Sequence, residues 1–337
     1  MAFSFLPKLE RFSAMTEHNT ADSPHGIETG SPCPKPASLA KSLGNYERKA
    51  EVRVVETRHY RTTCRILGDG PTLIVSPGLA STYRGFSLFL ETLAERFTTV
   101  IYDYPGDQPD DGAHLKRISH DSMVDNLFDM LDALSIGKAF LAGISFGSTI
   151  TFKALARDPR RFPKAAVQGG FARRKFSPAE KIALKLGRIV PGTVGRLPLH
   201  ERILTYNNRI HFPAEIDDRW RHYLDENAKT PIRSLAHRLD LVSSLDLRPV
   251  LPQIHTPVLL VQGNEDRIVP RPYFDELQQA LPEAQGLIVP LVGHQPHYTH
   301  PEALAQAMGQ FFLGCEEHAE CSAHQHHEGE TESHGQS

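Results

Sequence analysis

The chain has 337 residues, and its 37 lysines and arginines against 40 acidic residues give a formal net charge of −3 at pH 7. That balance supplies no global reason to expect nucleic acid or a membrane as partner. The length allows one large or two medium domains, with a core that buries about three quarters of the extended surface. The four cysteines sit as Cys33 and Cys321 in polar tails, Cys64 in an early strand and Cys315 past the last predicted helix. They form no disulfide framework, so a reducing, cytoplasmic setting is the simpler expectation.

Residues 1–15 mix Phe3, Phe5, Leu6, Leu9 and Phe12 with charges and lack a basic segment leading into an apolar core. That is not a secretory signal. A short lipid-touching amphipathic helix is one reading, but packing on the domain or lack of order is expected, and membrane contact is not favoured. From Thr16 to about Leu43 the composition turns to Ser, Pro, Thr, Gly and charge, so residues 1–49 read as an extension that is largely disordered linker. No stretch approaches the roughly 18 uninterrupted apolar residues of a membrane helix.

Ordered elements begin near Glu51, where Val52, Val54, Val55, Tyr60, Cys64 and Ile66 suggest a hairpin. Thr72-Leu73-Ile74-Val75 reads as the next strand. Ser81 and Thr82 then cap a helix with Phe86, Phe89, Leu90, Leu93 and Phe97 on its inward side. Thr98 to Tyr102 is a strand. Val124, Leu127, Phe128, Leu131 and Leu134 fall at helical spacing, and Gly137 is expected to end that helix. Alternating strands and helices predict an α/β fold, a mostly parallel sheet with helices on both faces.

The most informative run is Gly143-Ile144-Ser145-Phe146-Gly147. An apolar strand, Lys138 to Ala142, precedes it, and Ser148 to Leu155 follow as a helix. Strand, Gly-x-Ser-x-Gly turn and helix make a nucleophile elbow, whose glycines let strand and helix approach while the turn lifts the serine hydroxyl off the sheet. A Gly-Ser loop opening an ordinary helix gives the same letters, so the partners downstream decide.

Serine needs a base, and the base needs a group that fixes its tautomer. The apolar strand Pro257 to Gly263 runs into the polar loop Asn264 to Pro270, where Asp266 is the candidate acid and Glu265, one residue earlier, the weaker rival. A helix cap or plain surface carboxylate is the bland alternative for Asp266. A last strand, Gly286 to Pro290, is followed by Leu291-Val292-Gly293-His294, and His294 is the candidate base, in competition with His297 and His300. These histidines lack a Cys or carboxylate that completes a zinc set, so neither a metal nor an organic cofactor is expected. His300-Pro301-Glu302 reads as the start of the C-terminal helix.

With Ser76-Pro77-Gly78-Leu79, Asp103-Tyr104-Pro105-Gly106, the elbow and the Asp266 and His294 loops in that order, the chain resembles the α/β-hydrolase superfamily over about residues 50–313. The resemblance implies a catalytic triad of Ser145, Asp266 and His294. It also implies an oxyanion hole built from two backbone N–H groups: that of Phe146, at a helix start, and that of Leu79, with Ala80 as second choice. Two departures matter. Many relatives carry His-Gly where this chain has Pro77-Gly78, and the loop after Asp103 continues with acid and proline rather than glycine and serine. The acidic residues Asp107, Asp110 and Asp111 are read as a solvated loop.

The resemblance also makes residues 171–250 a helical lid inserted into a core of residues 50–170 and 251–313. That segment holds fifteen Lys and Arg against nine Asp and Glu, enough to attract an anionic acyl donor or a lipid surface, although solvated helix faces are the plainer reading. Tyr206, Phe212, Trp220 and Tyr223, with Leu204, are candidates for an apolar pocket wall, and helix-core packing explains them equally well. Residues 314–337 are a His- and Glu-rich tail, read as solvating rather than metal-holding.

The expected function is a serine hydrolase cleaving a carboxylic ester or related acyl compound through an acyl-enzyme, with a small-molecule acyl substrate as its partner. An acyltransferase using the same intermediate is the near rival, and a binding or signalling protein without catalysis the distant one. Serine at the elbow argues against the family's dehalogenases, which use aspartate there.

Overall fold

A computed structural model describes residues 36–314. The N-terminal aromatic segment, most of the expected linker and the His-rich tail lie outside the described residues. The chain opens with a helix, α1 (Leu39–Lys49), in a stretch assigned to the linker. Its Leu39, Ser42 and Tyr46 are buried, and the Tyr46 ring stacks on Tyr83 at 5.9 Å. The linker reading is therefore corrected at its end: three buried residues at i, i+3 and i+7 are too thin an apolar stripe to stand out, and one fully buried tyrosine anchors them.

The hairpin follows as β1 (Glu51–Glu56) and β2 (Arg61–Leu67), then β3 (Thr72–Ser76), α2 (Tyr83–Ala94), β4 (Thr98–Tyr102), α3 (His120–Ala133), β5 (Phe140–Ile144), α4 (Gly147–Arg157) and β6 (Ala165–Gln168). Four helices come next, α5 (Pro178–Gly187), α6 (His200–Asn208), α7 (Asp217–Lys229) and α8 (Ile232–Ser244), before β7 (Val258–Gly263), α9 (Arg271–Ala280), β8 (Ala284–Val289), α10 (Pro296–Thr299) and α11 (Pro301–Leu313). Thr82 caps α2 by accepting from the Arg84 N–H, and Pro301 sits in the first turn of α11. The helix α3 ends before the expected Gly137. Ser135, at φ 57°, takes the left-handed position that glycine was expected to supply.

The eight strands form one sheet in the order β1-β2-β4-β3-β5-β6-β7-β8. β1, β2 and β4 pair antiparallel, and every pairing from β4 to β8 through β3 is parallel. Strand periodicity divides the core. Ile74, Leu141, Val258 and Leu260 face one side with Val124, Leu127 and Ile150, while Leu73, Val75, Ala142, Leu259 and Val261 face the other with Phe86, Phe89 and Met308. Covering both faces leaves the carboxyl ends of the parallel strands as the place where loops meet.

Candidate active site

The elbow is built by two close approaches that only glycine permits. A Cβ on Gly147 would lie 2.0 Å from the Ser76 carbonyl oxygen, and one on Gly143 would lie 2.3 Å from Thr151 Oγ1. Between them Ser145 takes φ 52°, a left-handed conformation that costs a non-glycine residue about 1–2 kcal/mol. The Ser145 N–H donates to the Gln168 carbonyl at 2.8 Å, and the Ser148 N–H donates to the Ser145 carbonyl at 2.9 Å. Strand neighbour and helix start thus hold the strained residue from both sides.

Ser145 Oγ lies 3.0 Å from His294 Nε2, and His294 Nδ1 lies 2.6 Å from Asp266 Oδ2. All three side chains are buried. The other carboxylate oxygen, Asp266 Oδ1, accepts from the Ile268 and Val269 N–H groups, each at 2.8 Å. With Oδ1 so engaged, Oδ2 accepts the hydrogen bond from His294 Nδ1–H, and that tautomer leaves the Nε2 lone pair facing the serine hydroxyl. Gly169, at φ 59°, makes room for the imidazole: a Cβ there would stand 2.9 Å from His294 Cε1.

The rival residues are elsewhere. Glu265 is half-exposed, 3.8 Å from His211 Nδ1 rather than beside His294. His297 is buried against Phe86, with ring centroids 4.2 Å apart, and neither of its nitrogens has a hydrogen-bond partner. His300 Nδ1 meets Thr299 Oγ1 at 2.9 Å. Among the described residues no group of three or more His, Cys, Asp or Glu is disposed to hold a metal.

Phe146 occupies the cap position at the start of α4, where the helix dipole favours negative charge. Among the described residues neither the Phe146 nor the Leu79 N–H donates a hydrogen bond. The loop carrying Leu79 is held from three directions. Tyr102 meets Ser76 Oγ at 2.8 Å, the Tyr104 hydroxyl donates to the Pro77 carbonyl at 2.9 Å, and Arg238 on α8 donates to the Leu79 carbonyl at 2.5 Å. Arg238 also pairs with Asp107 and is itself fully buried.

The acidic loop is therefore not the solvated patch read from sequence. Asp107 is largely covered and paired with Arg238; burial pushes its carboxyl up, against the pull of that guanidinium. Asp111 is buried and accepts from the Gly106 and Ala113 N–H groups at 2.5 and 2.8 Å; only Asp110 of the three is exposed. Arg238 was missed in the sequence reading. The available signal was an arginine four residues after Ser234 and four before Val242, on the buried side of α8.

Of the pocket candidates, Phe212, Trp220 and Tyr223 pack with Tyr298 into one buried aromatic cluster, with Phe212 and Trp220 centroids 5.2 Å apart. The cluster reaches the site through Tyr223, whose hydroxyl accepts from Gln295 Nε2 at 3.4 Å. Tyr206 stands apart and exposed, with the Arg267 guanidinium 5.4 Å from its ring. A surface groove of about 550 Å³ lies beside Pro36, Arg219 and His300 and does not include Ser145.

A family model described as the alpha/beta hydrolase fold matches residues 71–301. The chain is 23% identical over 249 residues to "Putative carbamate hydrolase RutD" of Pseudomonas syringae pv. syringae (strain B728a), covering 72% of this chain and 94% of the relative. It is 26% identical over 265 residues to the pimeloyl-[acyl-carrier protein] methyl ester esterase of Nitrosomonas europaea, covering 72% and 95%. Among solved structures, a thermophilic esterase from Thermogutta terrifontis superposes with a TM-score of 0.69 at 20% identity, covering 78% of this chain and 98% of that one.

Proposed function

The chain belongs to the alpha/beta hydrolase fold family, and on that premise we propose that it is a serine hydrolase acting on a carboxylic ester or closely related acyl compound. The observation that carries the reading is the unbroken run of hydrogen bonds from Ser145 Oγ through His294 to Asp266, at 3.0 and 2.6 Å. Relatives named as a methyl ester esterase and a carbamate hydrolase support an acyl carbon bearing an oxygen or nitrogen leaving group.

In this reading Ser145 Oγ attacks the acyl carbon while His294 Nε2 takes its proton. Asp266 holds the imidazole in the productive tautomer and offsets the positive charge that forms on it. Negative charge moves to the former carbonyl oxygen, where the N–H groups of Phe146 and Leu79 meet it. Each such donor contributes about 3 kcal/mol of transition-state stabilisation in comparable sites. The tetrahedral intermediate collapses, the His294 proton passes to the leaving alcohol or amine, and Ser145 remains acylated. Water, giving a proton to His294, then repeats the sequence and releases the acid. The helices between β6 and β7 act as a lid, which excludes bulk water and strengthens these interactions.

Hydrolysis of p-nitrophenyl esters from acetate to palmitate, wild type against Ser145→Ala, tests the proposal. Turnover lost in the variant, with fluorophosphonate labelling of wild type only, is expected. Equal activity in both proteins sinks Ser145 as nucleophile. Ester turnover that converts to transfer when an alcohol acceptor is added reassigns the enzyme as an acyltransferase.

A further inference from the structure

Helix α5 is built the wrong way round for a helix that only covers a core. Its inner side is Leu184, which is buried, and Gly187, where an added Cβ would come within 2.9 Å of the Ala236 methyl on α8. Its outer side carries Ile182 and Leu186, 61% and 58% exposed, and the stripe continues one turn on to Ile189 at 70%. Ile182 and Leu186 stand at i and i+4 on one side of the helix, and Ile189 follows in the turn just past its end at Gly187. Val190 beside them is exposed as well. Apart from Val52, Val54 and Leu291, every large apolar side chain exposed among the described residues lies between Ile182 and Ile210. Such a concentration contributes nothing to folding, and soluble surfaces seldom carry one without a partner.

The charges on the same segment are one-sided. Lys181 and Lys185 flank the row, and Arg196 and Arg202 follow; all four are exposed and none has a carboxylate partner among the described residues. The acids nearby are Glu180, engaged with the Ser177 N–H at the start of α5, Asp240, paired with Arg188, and Glu201 and Asp225 beside Arg202.

We propose that this face, centred on Ile182, Leu186 and Ile189 with Lys181 and Lys185, docks the protein on an anionic lipid surface. Hydrocarbon accepts the aliphatic row, and the lysine stems lie along it while their ammonium groups reach anionic headgroups. A second copy of the chain, meeting this face about a two-fold axis, would bring the same cations against one another. An acidic protein would satisfy the cations and leave the aliphatic row to find its own apolar surface. No helix among the described residues is long and apolar enough to cross a membrane, so the contact is one that lies on the surface. This inference does not depend on the catalytic reading.

The test is flotation of the full chain with vesicles of phosphatidylcholine alone and of phosphatidylcholine with one third phosphatidylglycerol. Two paired variants are compared with wild type, Leu186→Ser with Ile189→Ser, and Lys181→Glu with Lys185→Glu; thermal melts check that both stay folded. Wild type is expected to float with the anionic vesicles, less so in high salt. Each pair should weaken partition about tenfold or more. No flotation of wild type, or flotation that both variants retain, overturns the proposal. A dimer in light scattering that Leu186→Ser with Ile189→Ser dissolves, without lipid binding, reassigns the face to a second copy. Retention by an acidic carrier protein in place of vesicles reassigns it to that partner.

Discussion

Arg238 and Asp107 form a buried ion pair between helix α8 and the loop that follows β4, and the same guanidinium donates to the Leu79 carbonyl. One side chain thus ties α8 to the loop that supplies a proposed oxyanion donor. Ser234, four residues earlier on α8, adds a second tie by donating to the Gly106 carbonyl at 2.7 Å. The loop is therefore set by α8 as well as by the sheet beneath it.

Removing one partner of that pair strands the other. Arg238→Met leaves Asp107 buried without its cation and is expected to cost about 3–5 kcal/mol in urea denaturation. Pairing it with Asp107→Asn should recover most of that loss. The Leu79 carbonyl stays unheld in the double variant, so kcat for p-nitrophenyl acetate should remain about tenfold below wild type with KM nearly unchanged. A double variant with wild-type kcat would remove Arg238 from the positioning of that loop.

Asp266→Asn separates orientation from packing. The amide oxygen still accepts from the Ile268 and Val269 N–H groups, but its NH₂ then faces His294 Nδ1 and favours the tautomer that points a proton at Ser145. Turnover is expected to fall roughly ten-thousand-fold, with a melting temperature within a few degrees of wild type. A loss of stability as large as the loss of rate would mark Asp266 as structural.

Gly169→Ala tests the space around the imidazole. The new methyl meets His294 Cε1 at 2.9 Å, and the residue must keep φ 59°. Backbone strain costs about 1–2 kcal/mol, whereas the displaced ring should lower kcat about a hundredfold. Thermal melts and ester turnover on the same preparation check the two effects separately.

Acid should destabilise the fold before its carboxylates titrate. Burial pushes His120 and His237 down to about 4 and His297 to about 3, each below the ordinary value near 6.5. Each also has at least one buried ring nitrogen without a hydrogen-bond partner. Between those limits the unfolded chain binds a proton that the folded chain refuses. Stability is therefore complete above about pH 6.5 and falls as pH drops toward 4, by about 1.4 kcal/mol per pH unit for each histidine. His297→Phe keeps a ring against Phe86 and removes one of the three protons. Urea unfolding at pH 7.5 and 5 should then differ by about 1–2 kcal/mol less than in wild type; an unchanged difference would show that His297 is not one of the groups responsible.

What the sequence determined by itself was local and periodic. Short apolar runs mark β3, β4 and β7, because a strand covered on both faces buries every residue; helical spacing marks α2, and Pro301 marks the first turn of α11. The Gly-x-Ser-x-Gly run marks the elbow because only glycine tolerates approaches of 2.0 and 2.3 Å. The chain order of Ser145, Asp266 and His294 follows from strand ends that the same patterns locate. The tertiary structure alone decided what depends on two distant segments meeting. Tyr46 at 0% exposure turns part of a polar stretch into α1. Arg238 reaches back 131 residues to Asp107 and converts a loop that reads as solvated acid into a buried contact. The direction in which Ile182, Leu186 and Ile189 point belongs to the same class. A helical row of apolar residues reads as core in any sequence, because spacing records that the residues share a side and not which side the rest of the fold covers.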